Sequence, residues 1–238
     1  MDGKGAKRIM ENHKSAKTNA IMAGAGIAGA VTYAVADLFL YVGKNMLSSD
    51  KLALWDVPEW RLMTSMWIGA VGSLLLLLGF LSLGKMYYDV FRKKGNLLIL
   101  PALLCIGGVL YMHFTLGVYG PLTYRSAAAA GVPDQQILTL VQNADAYLNP
   151  LTGVLIVLGY STEIVLCYGI LSGRFGLKKR TVLYMFGGYF LLALLIVIIA
   201  KITGEMGIVG SLESLLETTF FIPAYLYWKK GDNRVTRH

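Results

Sequence analysis

The sequence predicts an all-α, polytopic membrane protein with six transmembrane helices and with both termini in the cytoplasm. Hydrophobic residues make up 55% of the 238 residues and charged residues only 15%, whereas an ordinary soluble domain has about 25% charged residues. The apolar residues form uninterrupted runs, each close to the roughly 20 residues that a helix needs to cross a bilayer. Basic residues are concentrated between alternate runs, which is the pattern that orients helices in a membrane. These observations exclude a disordered chain and argue against a soluble domain.

Six apolar segments define the predicted spans, which are 20–43, 63–84, 97–119, 150–172, 181–202 and 206–228. The first segment follows a basic stretch, as in a signal peptide, but it exceeds the roughly 7 to 15 residues of a signal-peptide core. We therefore expect an uncleaved spanning helix. Pro150 is expected to begin the fourth helix, where its missing N–H group is harmless. Only a few residues separate the fifth and sixth segments, which predicts a tight antiparallel hairpin.

The basic residues predict the orientation of the helices. Of the 22 lysines and arginines, 17 lie in the two tails and in the second and fourth connecting segments, and five lie on the other side. Because cytoplasmic segments are rich in Lys and Arg, the tails 1–19 and 229–238 are expected in the cytoplasm, on either side of a six-helix domain over 20–228. The segment 120–149 is then an outer loop. Its apolar residues at helical spacing over 134–148 indicate either an amphipathic helix on the membrane surface or a lid over a cavity.

Composition also bears on partners and cofactors. The net charge is +8, but the basic residues form no single patch and no nucleic-acid-binding motif accompanies them, so no nucleic-acid partner is expected. Cys105 and Cys167 each lie in an apolar run without a second cysteine nearby, which argues against a zinc site or a redox pair. One histidine with several carboxylates can bind a metal, but no ligand motif such as Glu-x-x-His occurs. We therefore expect no cofactor and no metal.

Small residues recur at regular spacing in the first two spans. Gly24, Gly26 and Gly29 match the pattern G-x-G-x-x-G, but a dinucleotide-binding unit needs a preceding strand and an aqueous pyrophosphate site, and these glycines lie inside a predicted span. Gly26, Ala30 and Ala34 instead form a stripe that lets another helix approach closely. Gly69, Gly72 and Gly79 can form an equivalent small-residue stripe on the second helix. Such faces also predict contacts between copies in a homo-oligomer.

Five acidic or histidine residues lie well inside the predicted spans, although a charge at the centre of a membrane helix costs about 2.5 to 3.5 kcal/mol. They are Asp37, His113, Glu163, Glu213 and Glu217. At about 1.5 Å of rise per residue, Asp37, His113 and Glu213 lie roughly 9 to 10 Å inside the outer ends of their helices. We therefore expect these three to line one outward-facing cavity, with Glu163 and Glu217 nearer the membrane centre.

Tyrosines lie one helical turn from two of these residues, Asp37 and Glu163. Tyr33, Asp37 and Tyr41 recur every four residues, so they share one face of the first helix. Tyr160 lies one turn from Glu163 on the fourth helix and is a candidate hydrogen-bond donor to that carboxyl group. The predicted ligand-binding residues are therefore Tyr33, Tyr41, Tyr160 and Glu163.

Two carboxyl groups on the sixth helix suggest proton chemistry. Glu213 and Glu217 lie one turn apart and repel each other if both are ionised, so at least one is expected to be protonated or to hold a cation. A neutral carboxylic acid can donate a proton, and His113 or a carboxylate can accept one. Acid–base chemistry on a membrane lipid or another apolar small ligand is thus the leading interpretation. Its predicted catalytic residues are Asp37, His113, Glu213 and Glu217.

Two other interpretations of the same residues remain open. An acidic cavity can bind and move a proton, a cation or a protonatable amine, as in a proton- or cation-coupled transporter. The polar residues can also do no more than hold together the helices of a non-catalytic scaffold. Transporters often use helices interrupted near the membrane centre, whereas Pro101, Pro150 and Pro223 lie toward helix ends. This difference favours a ligand-binding or enzymatic cavity over a carrier.

One further pattern covers the first two spans. A small-residue run from Gly24 ends in Ala36-Asp37-Leu38-Phe39-Leu40-Tyr41, and Trp60-Arg61-Leu62 is followed by Ser65, Gly69 and Gly79. This combination resembles an uncharacterised family of bacterial multi-pass membrane proteins, a domain of unknown function. The resemblance implies residence in the cell membrane, the inner membrane of a bacterium, and implies that Asp37 and Arg61 belong to the family pattern. Ala36 stands where that pattern leads us to expect a glycine. Signatures of rhomboid proteases, rhodopsins, vitamin K reductases and tryptophan-rich translocators are missing.

Overall fold

The computed structural model describes residues 3–42 and 57–235, and every regular element in these ranges is a helix. A π-helix, His113–Tyr119, follows α4, and a 3₁₀ helix, Met206–Ser211, precedes α8. The side chains of residues 3–13, of Glu213 and of some other helical positions lie outside the described ones. The α-helices are α1 (Gly3–Tyr41), α2 (Glu59–Phe91), α3 (Lys93–Leu98), α4 (Leu100–Met112), α5 (Gly120–Ala129), α6 (Asp134–Leu171), α7 (Arg180–Thr203), α8 (Leu212–Leu216) and α9 (Thr218–Val235).

Several helices have the length and composition of membrane spans. Among the described residues, five stretches qualify, namely Lys14–Tyr41, Glu59–Phe91, Lys93–Ala129, Gly153–Leu171 and Arg180–Thr203. They correspond to the first five predicted spans, whereas the sixth segment forms no single long apolar helix. The architecture is that of an all-α membrane protein.

Two helices extend well beyond the apolar segments that predict them. α1 begins at Gly3 rather than near residue 20, because the lysine, alanine and methionine residues of the basic tail favour a helix as strongly as many apolar residues do. The tail predicted over 1–19 is therefore helical where the structure describes it. α2 likewise extends past both ends of the predicted 63–84. Hydropathy thus predicts the apolar part of a helix but not its ends.

The amphipathic segment before the fourth span belongs to the same helix as that span. α6 contains Pro150 in its interior, so the prediction that Pro150 begins a helix is wrong. The helix starts where the sequence predicts the amphipathic segment to start, with Pro133 at the N-cap and Asp134 in the first turn. An internal proline removes one backbone donor, and helices packed in a membrane bundle tolerate this loss.

The third predicted span changes its helical geometry partway. α4 ends at Met112, and the chain continues as the π-helix before it returns to α-helical geometry in α5. π-helical turns are rare and occur frequently at functional sites. α5 carries the helix into the predicted outer loop 120–149, of which only residues 130–133 lie outside helices.

The last predicted segment, 206–228, packs along α7 but is not one continuous helix. The Tyr189 hydroxyl of α7 donates to the Leu212 carbonyl at 3.3 Å, and the Lys230 ammonium donates to the carbonyl of Gly176, just before α7. Its backbone passes from the 3₁₀ helix to α8 and then, across Glu217, to α9. The segment 206–228 is therefore not the single helix that the sequence predicts.

Hydroxyl and glycine residues are concentrated around this break. Ser211 and Thr218 each donate to the backbone carbonyl three residues earlier, at 2.8 Å in both cases. Such local bonds compete with the hydrogen-bond ladder of an α-helix. Gly207 and Gly210 lower the helical preference of the same stretch further.

The backbones of α1 and α2 approach each other closely. A Cβ atom on Gly26 would lie 2.6 Å from the Cα atom of Gly79, and one on Gly29 would lie 2.7 Å from the backbone nitrogen of Leu76. These distances are shorter than van der Waals contact, so only glycine fits here. Ala30 on the same stripe is fully buried. The small-residue faces therefore meet inside the chain and bring α1 and α2 into close contact.

Candidate functional site

Asp37 and His113 form a buried acid–base pair. His113 Nδ1 lies 2.9 Å from Asp37 Oδ1, and the two residues are only 7% and 5% exposed. An ionised carboxylate only accepts hydrogen bonds, so beside an ionised Asp37 the Nδ1 atom carries the hydrogen and donates it. α1 and the first residue of the π-helix thus bring together two groups that lie on different helices.

The second ring nitrogen of His113 contacts α2. His113 Nε2 lies 3.3 Å from the hydroxyl oxygen of Ser65, which is fully buried. A neutral imidazole accepts the Ser65 proton at this nitrogen, whereas a protonated one donates to the hydroxyl. Gly69 leaves room for the ring, because a Cβ atom at this position would lie 3.1 Å from Nε2. The Tyr33 ring packs against the imidazole with centroids 4.7 Å apart.

Asp37 also contacts the broken last segment. The Ser214 hydroxyl of α8 donates to Asp37 Oδ2, so both carboxylate oxygens accept hydrogen bonds. We call the series Ser65–His113–Asp37–Ser214 the polar chain. It connects α2, the π-helix, α1 and α8.

The polar chain lies where two segments depart from α-helical geometry. The π-helix starts at His113, and Ser214 belongs to the five-residue α8, which follows the 3₁₀ helix. Both irregular segments pack closely on the end of α1: a Cβ atom on Gly117 of the π-helix would lie 2.7 Å from Leu40 Cδ1, and one on Gly210 of the 3₁₀ helix would lie 2.5 Å from Tyr41 Cδ2. A backbone change in either segment would therefore act directly on the helix that carries Asp37.

Arg61 of α2 holds the end of α1 just beyond Asp37. Its Nε donates to the Phe39 carbonyl at 2.8 Å. Its Nη2 donates to the carbonyls of Val42 at 2.8 Å and Leu38 at 3.3 Å. The last carbonyls of a helix lack partners within the helix and favour a positive charge. Arg61 therefore caps α1 and fixes the position of Asp37 relative to α2.

The predicted residues of the last segment border the polar chain. Glu217 is buried at the turn between α8 and α9. Tyr33 is close enough to interact electrostatically with both Asp37 and Glu217. The side chain of Glu213 lies outside the described residues, although the backbone places it next to Ser214. The expected protonation within this carboxyl pair stays a prediction.

Glu163 takes part in a separate contact, between α6 and α9. Thr219 of α9 donates to Glu163 Oε1 at 2.9 Å, and both side chains are buried. Tyr160, the predicted donor to this carboxyl group, is 60% exposed on the surface of α6. Glu163 therefore links α6 to α9. Among the described residues, no group of three or more His, Cys, Asp and Glu side chains is arranged to hold a metal ion.

Ser65 and Ser214 are the site residues that sequence reasoning misses. Ser65 entered only through the family resemblance and Ser214 not at all, because an uncharged hydroxyl does not stand out within an apolar run. A weak signal was present: Ser65 lies one turn from Gly69, and a hydroxyl beside a close helix contact is well placed to bond across it. Ser214 lies beside Glu213 in a run of hydroxyl residues that also interrupts the helix.

Comparison with protein families identifies the relatives of this chain. A family model described as "Family of unknown function (DUF6796)" matches residues 10–231. The chain belongs to this family. The expectation of an uncharacterised family is confirmed, and the match covers nearly the whole chain rather than its first two helices. Comparison with curated proteins and with solved structures gave no match. In this DUF6796 protein, Asp37 and Arg61 lie in the polar chain and at the adjoining cap of α1.

Proposed function

We propose that the protein is an integral protein of the cell membrane in which the Asp37–His113 pair takes up and releases a proton in exchange for a cation or protonatable amine. In this proposal, the last segment is a sixth, discontinuous crossing, both termini are cytoplasmic, and the pair lies in the outer half of the bilayer. The observation that carries the proposal is a buried acid–base pair at the junction of two irregular segments.

The charge of the pair supports proton–cation exchange. With His113 protonated and Asp37 ionised, the pair has no net charge. Loss of the proton leaves one negative charge in a region of low dielectric constant, which is costly unless a second cation replaces the proton. Proton and cation therefore compete for one site, which is the basis of coupled transport.

The broken last segment supports the same interpretation. Transport sites commonly lie where transmembrane helices are discontinuous, because the freed backbone groups can bind ions and the two halves can move separately. Here α8 contributes Ser214 to the polar chain, and Glu217 lies at the turn that separates α8 from α9. This interruption, which the sequence did not predict, favours a carrier over an enzymatic cavity.

Proton flux across a membrane tests this proposal. Purified protein is reconstituted into vesicles with an acidic interior and a pH-sensitive dye, and sodium, potassium or ethylammonium chloride is added outside. We expect at least one of these cations to drive proton release, and we expect Asp37→Asn and His113→Gln to abolish it. Asp134→Asn, a change at an exposed carboxylate, should retain the flux. Equal flux from Asp37→Asn and the unmodified protein would contradict the proposal.

A second candidate function rests on the order of groups in the polar chain. A carboxylate on Nδ1 and a hydroxyl on Nε2 is the arrangement by which a histidine activates a serine nucleophile. The ligand would be a membrane lipid or another apolar molecule with an acyl group. A fluorophosphonate probe should then label Ser65 in the unmodified protein but not in His113→Gln, while Ser126→Ala, at an exposed serine, should leave labelling unchanged. Failure to label a folded protein at Ser65 would contradict this activity.

A further inference from the structure

A cleft lies between α1 and α2, far from the polar chain. Its volume is about 290 Å³, and it is lined by Lys14, Ser15, Thr18, Asn19 and Lys85. Asn19 precedes Asp37 by 18 residues of α1, which separates the two positions by about 27 Å along the helix. The cleft is therefore distinct from the site described above.

The cleft has a positive charge held in place by a buried amide. All five lining residues are either basic or uncharged. Lys85 Nζ donates to Asn19 Oδ1 at 3.1 Å, and the backbone carbonyl of Asn19 accepts a hydrogen bond from Ser82 at 2.8 Å. Asn19 is 2% exposed, so it provides a rigid anchor. An ammonium group has three N–H donors, which leaves two on Lys85 for a ligand.

Among the described side chains, which do not include that of Glu11 one turn before Lys14, neither Lys14 nor Lys85 forms an ion pair with an acidic group. The long apolar stems of both residues can pack on the helices while the ammonium groups face the cleft. Two ammonium groups beside a serine hydroxyl suit a small, strongly charged oxyanion.

We propose that this cleft binds a phosphate group through Lys14 and Lys85. The phosphate can belong to the headgroup of an anionic phospholipid or to free inorganic phosphate. Basic pockets between transmembrane helices on the cytoplasmic side commonly bind lipid phosphates, and this cleft lies at the end of α1 that carries the basic tail. The inference does not depend on the proton-exchange proposal, because it uses none of the same residues.

Thermal unfolding of the full-length protein in neutral detergent tests the proposal and separates the two sources. In one arm, phosphatidylglycerol is added and compared with phosphatidylcholine. In the other arm, sodium phosphate is compared with sodium chloride at equal ionic strength. The same measurements are made on the double variant Lys14→Gln/Lys85→Gln and on a control, Lys93→Gln/Lys94→Gln. The control removes two exposed lysines beyond the end of α2.

We expect one of the two ligands to raise the unfolding temperature of the unmodified and control proteins. Each lysine near a phosphate strengthens binding about fivefold, so the cleft variant should bind about twenty- to thirtyfold more weakly. Stabilisation by phosphatidylglycerol alone identifies a lipid headgroup, and stabilisation by inorganic phosphate identifies free phosphate. Lys85→Arg keeps the charge and should retain binding within about threefold.

Three results would overturn the proposal. In the first, neither phosphatidylglycerol nor phosphate stabilises the unmodified protein more than its comparison reagent does. In the second, the cleft variant and the control lose stabilisation equally, which would show a general attraction to basic surface. In the third, the cleft variant retains the full stabilisation. Circular dichroism of both double variants at low temperature establishes that each is folded before these results are compared.

Discussion

The two hydrogen bonds of Asp37 give a quantitative prediction about the ionisation of the site. Hydrogen bonds between helices in membranes contribute about 0.6 kcal/mol on average, whereas bonds to an ionised group contribute about 1.5 to 3 kcal/mol. Asp37 accepts one bond from His113 at 2.9 Å and another from Ser214, and all three residues are buried. If Asp37 is ionised, both contacts should fall in the higher range.

Double-mutant cycles measure these contacts separately. The first cycle uses Asp37→Ala and His113→Ala, and the second uses Asp37→Ala and Ser214→Ala. The free energy of unfolding is measured for each protein by titration with sodium dodecyl sulfate in mixed micelles, followed by circular dichroism. We expect coupling energies of about 1.5 to 3 kcal/mol in both cycles.

A distant pair provides the control, and a low value would refute the reasoning. Ser126 on α5 is exposed and does not contact Asp37, so the coupling of Asp37→Ala with Ser126→Ala should be within about 0.5 kcal/mol of zero. Couplings near 0.6 kcal/mol in both main cycles would indicate a neutral carboxyl group that serves only to hold helices together. The proton-exchange proposal would then lose its ionised partner for His113.

Three further predictions concern the bundle around the site. Gly79→Val should lower the free energy of unfolding by about 3 kcal/mol, because its Cβ atom would overlap α1; Gly107→Val, where a Cβ atom meets nothing within 4 Å, should be nearly neutral by the same measurement. Arg61→Gln should cost about 1 to 2 kcal/mol by removing the cap of α1, with faster amide exchange in its last turn; unchanged exchange there would contradict the capping role. In intact cells, a membrane-impermeant maleimide should label Ala128→Cys but not Ser172→Cys; the reverse pattern would overturn the proposed orientation.

Hydropathy predicts much of this fold because the membrane imposes one simple condition on it. A helix must be apolar over the thickness of the bilayer, and five of the six predicted segments coincide with helices long enough to cross it. The condition says nothing about where a helix ends in water. The extension of α1 to Gly3 and the fusion of 134–148 with the fourth span therefore escaped prediction.

The site was predictable to the extent that charge and depth are visible in the sequence. Asp37 and His113 stand out as ionisable residues at similar depths, and the structure places their side chains 2.9 Å apart. Their partners Ser65 and Ser214 were not predicted as site residues, because hydroxyl groups cost little in an apolar segment and do not stand out there. The rotation of each helix about its axis, which decides which residues meet, depends on packing at contacts such as Gly69 against His113.

The break in the last segment suggests how loss of the charge on Asp37 changes the structure of a neighbouring helix. α8 has only five residues, so few backbone bonds hold it, and the bond from Ser214 to the carboxylate joins it to α1. A hydrogen bond to a charged group is stronger than one to a neutral group by about 1 to 1.5 kcal/mol. Protonation of Asp37 should thus shift the balance toward a released α8 by about fivefold to tenfold.

Amide hydrogen exchange in α8 is the measurement that checks this last prediction. Asp37→Asn carries no charge, so its α8 should exchange about fivefold to tenfold faster than α8 of the unmodified protein at the same pH. Exchange in α7, which has a complete helical ladder, serves as the internal reference. If α8 in Asp37→Asn exchanged as slowly as in the unmodified protein, the Asp37 charge would not be what holds α8 against α1.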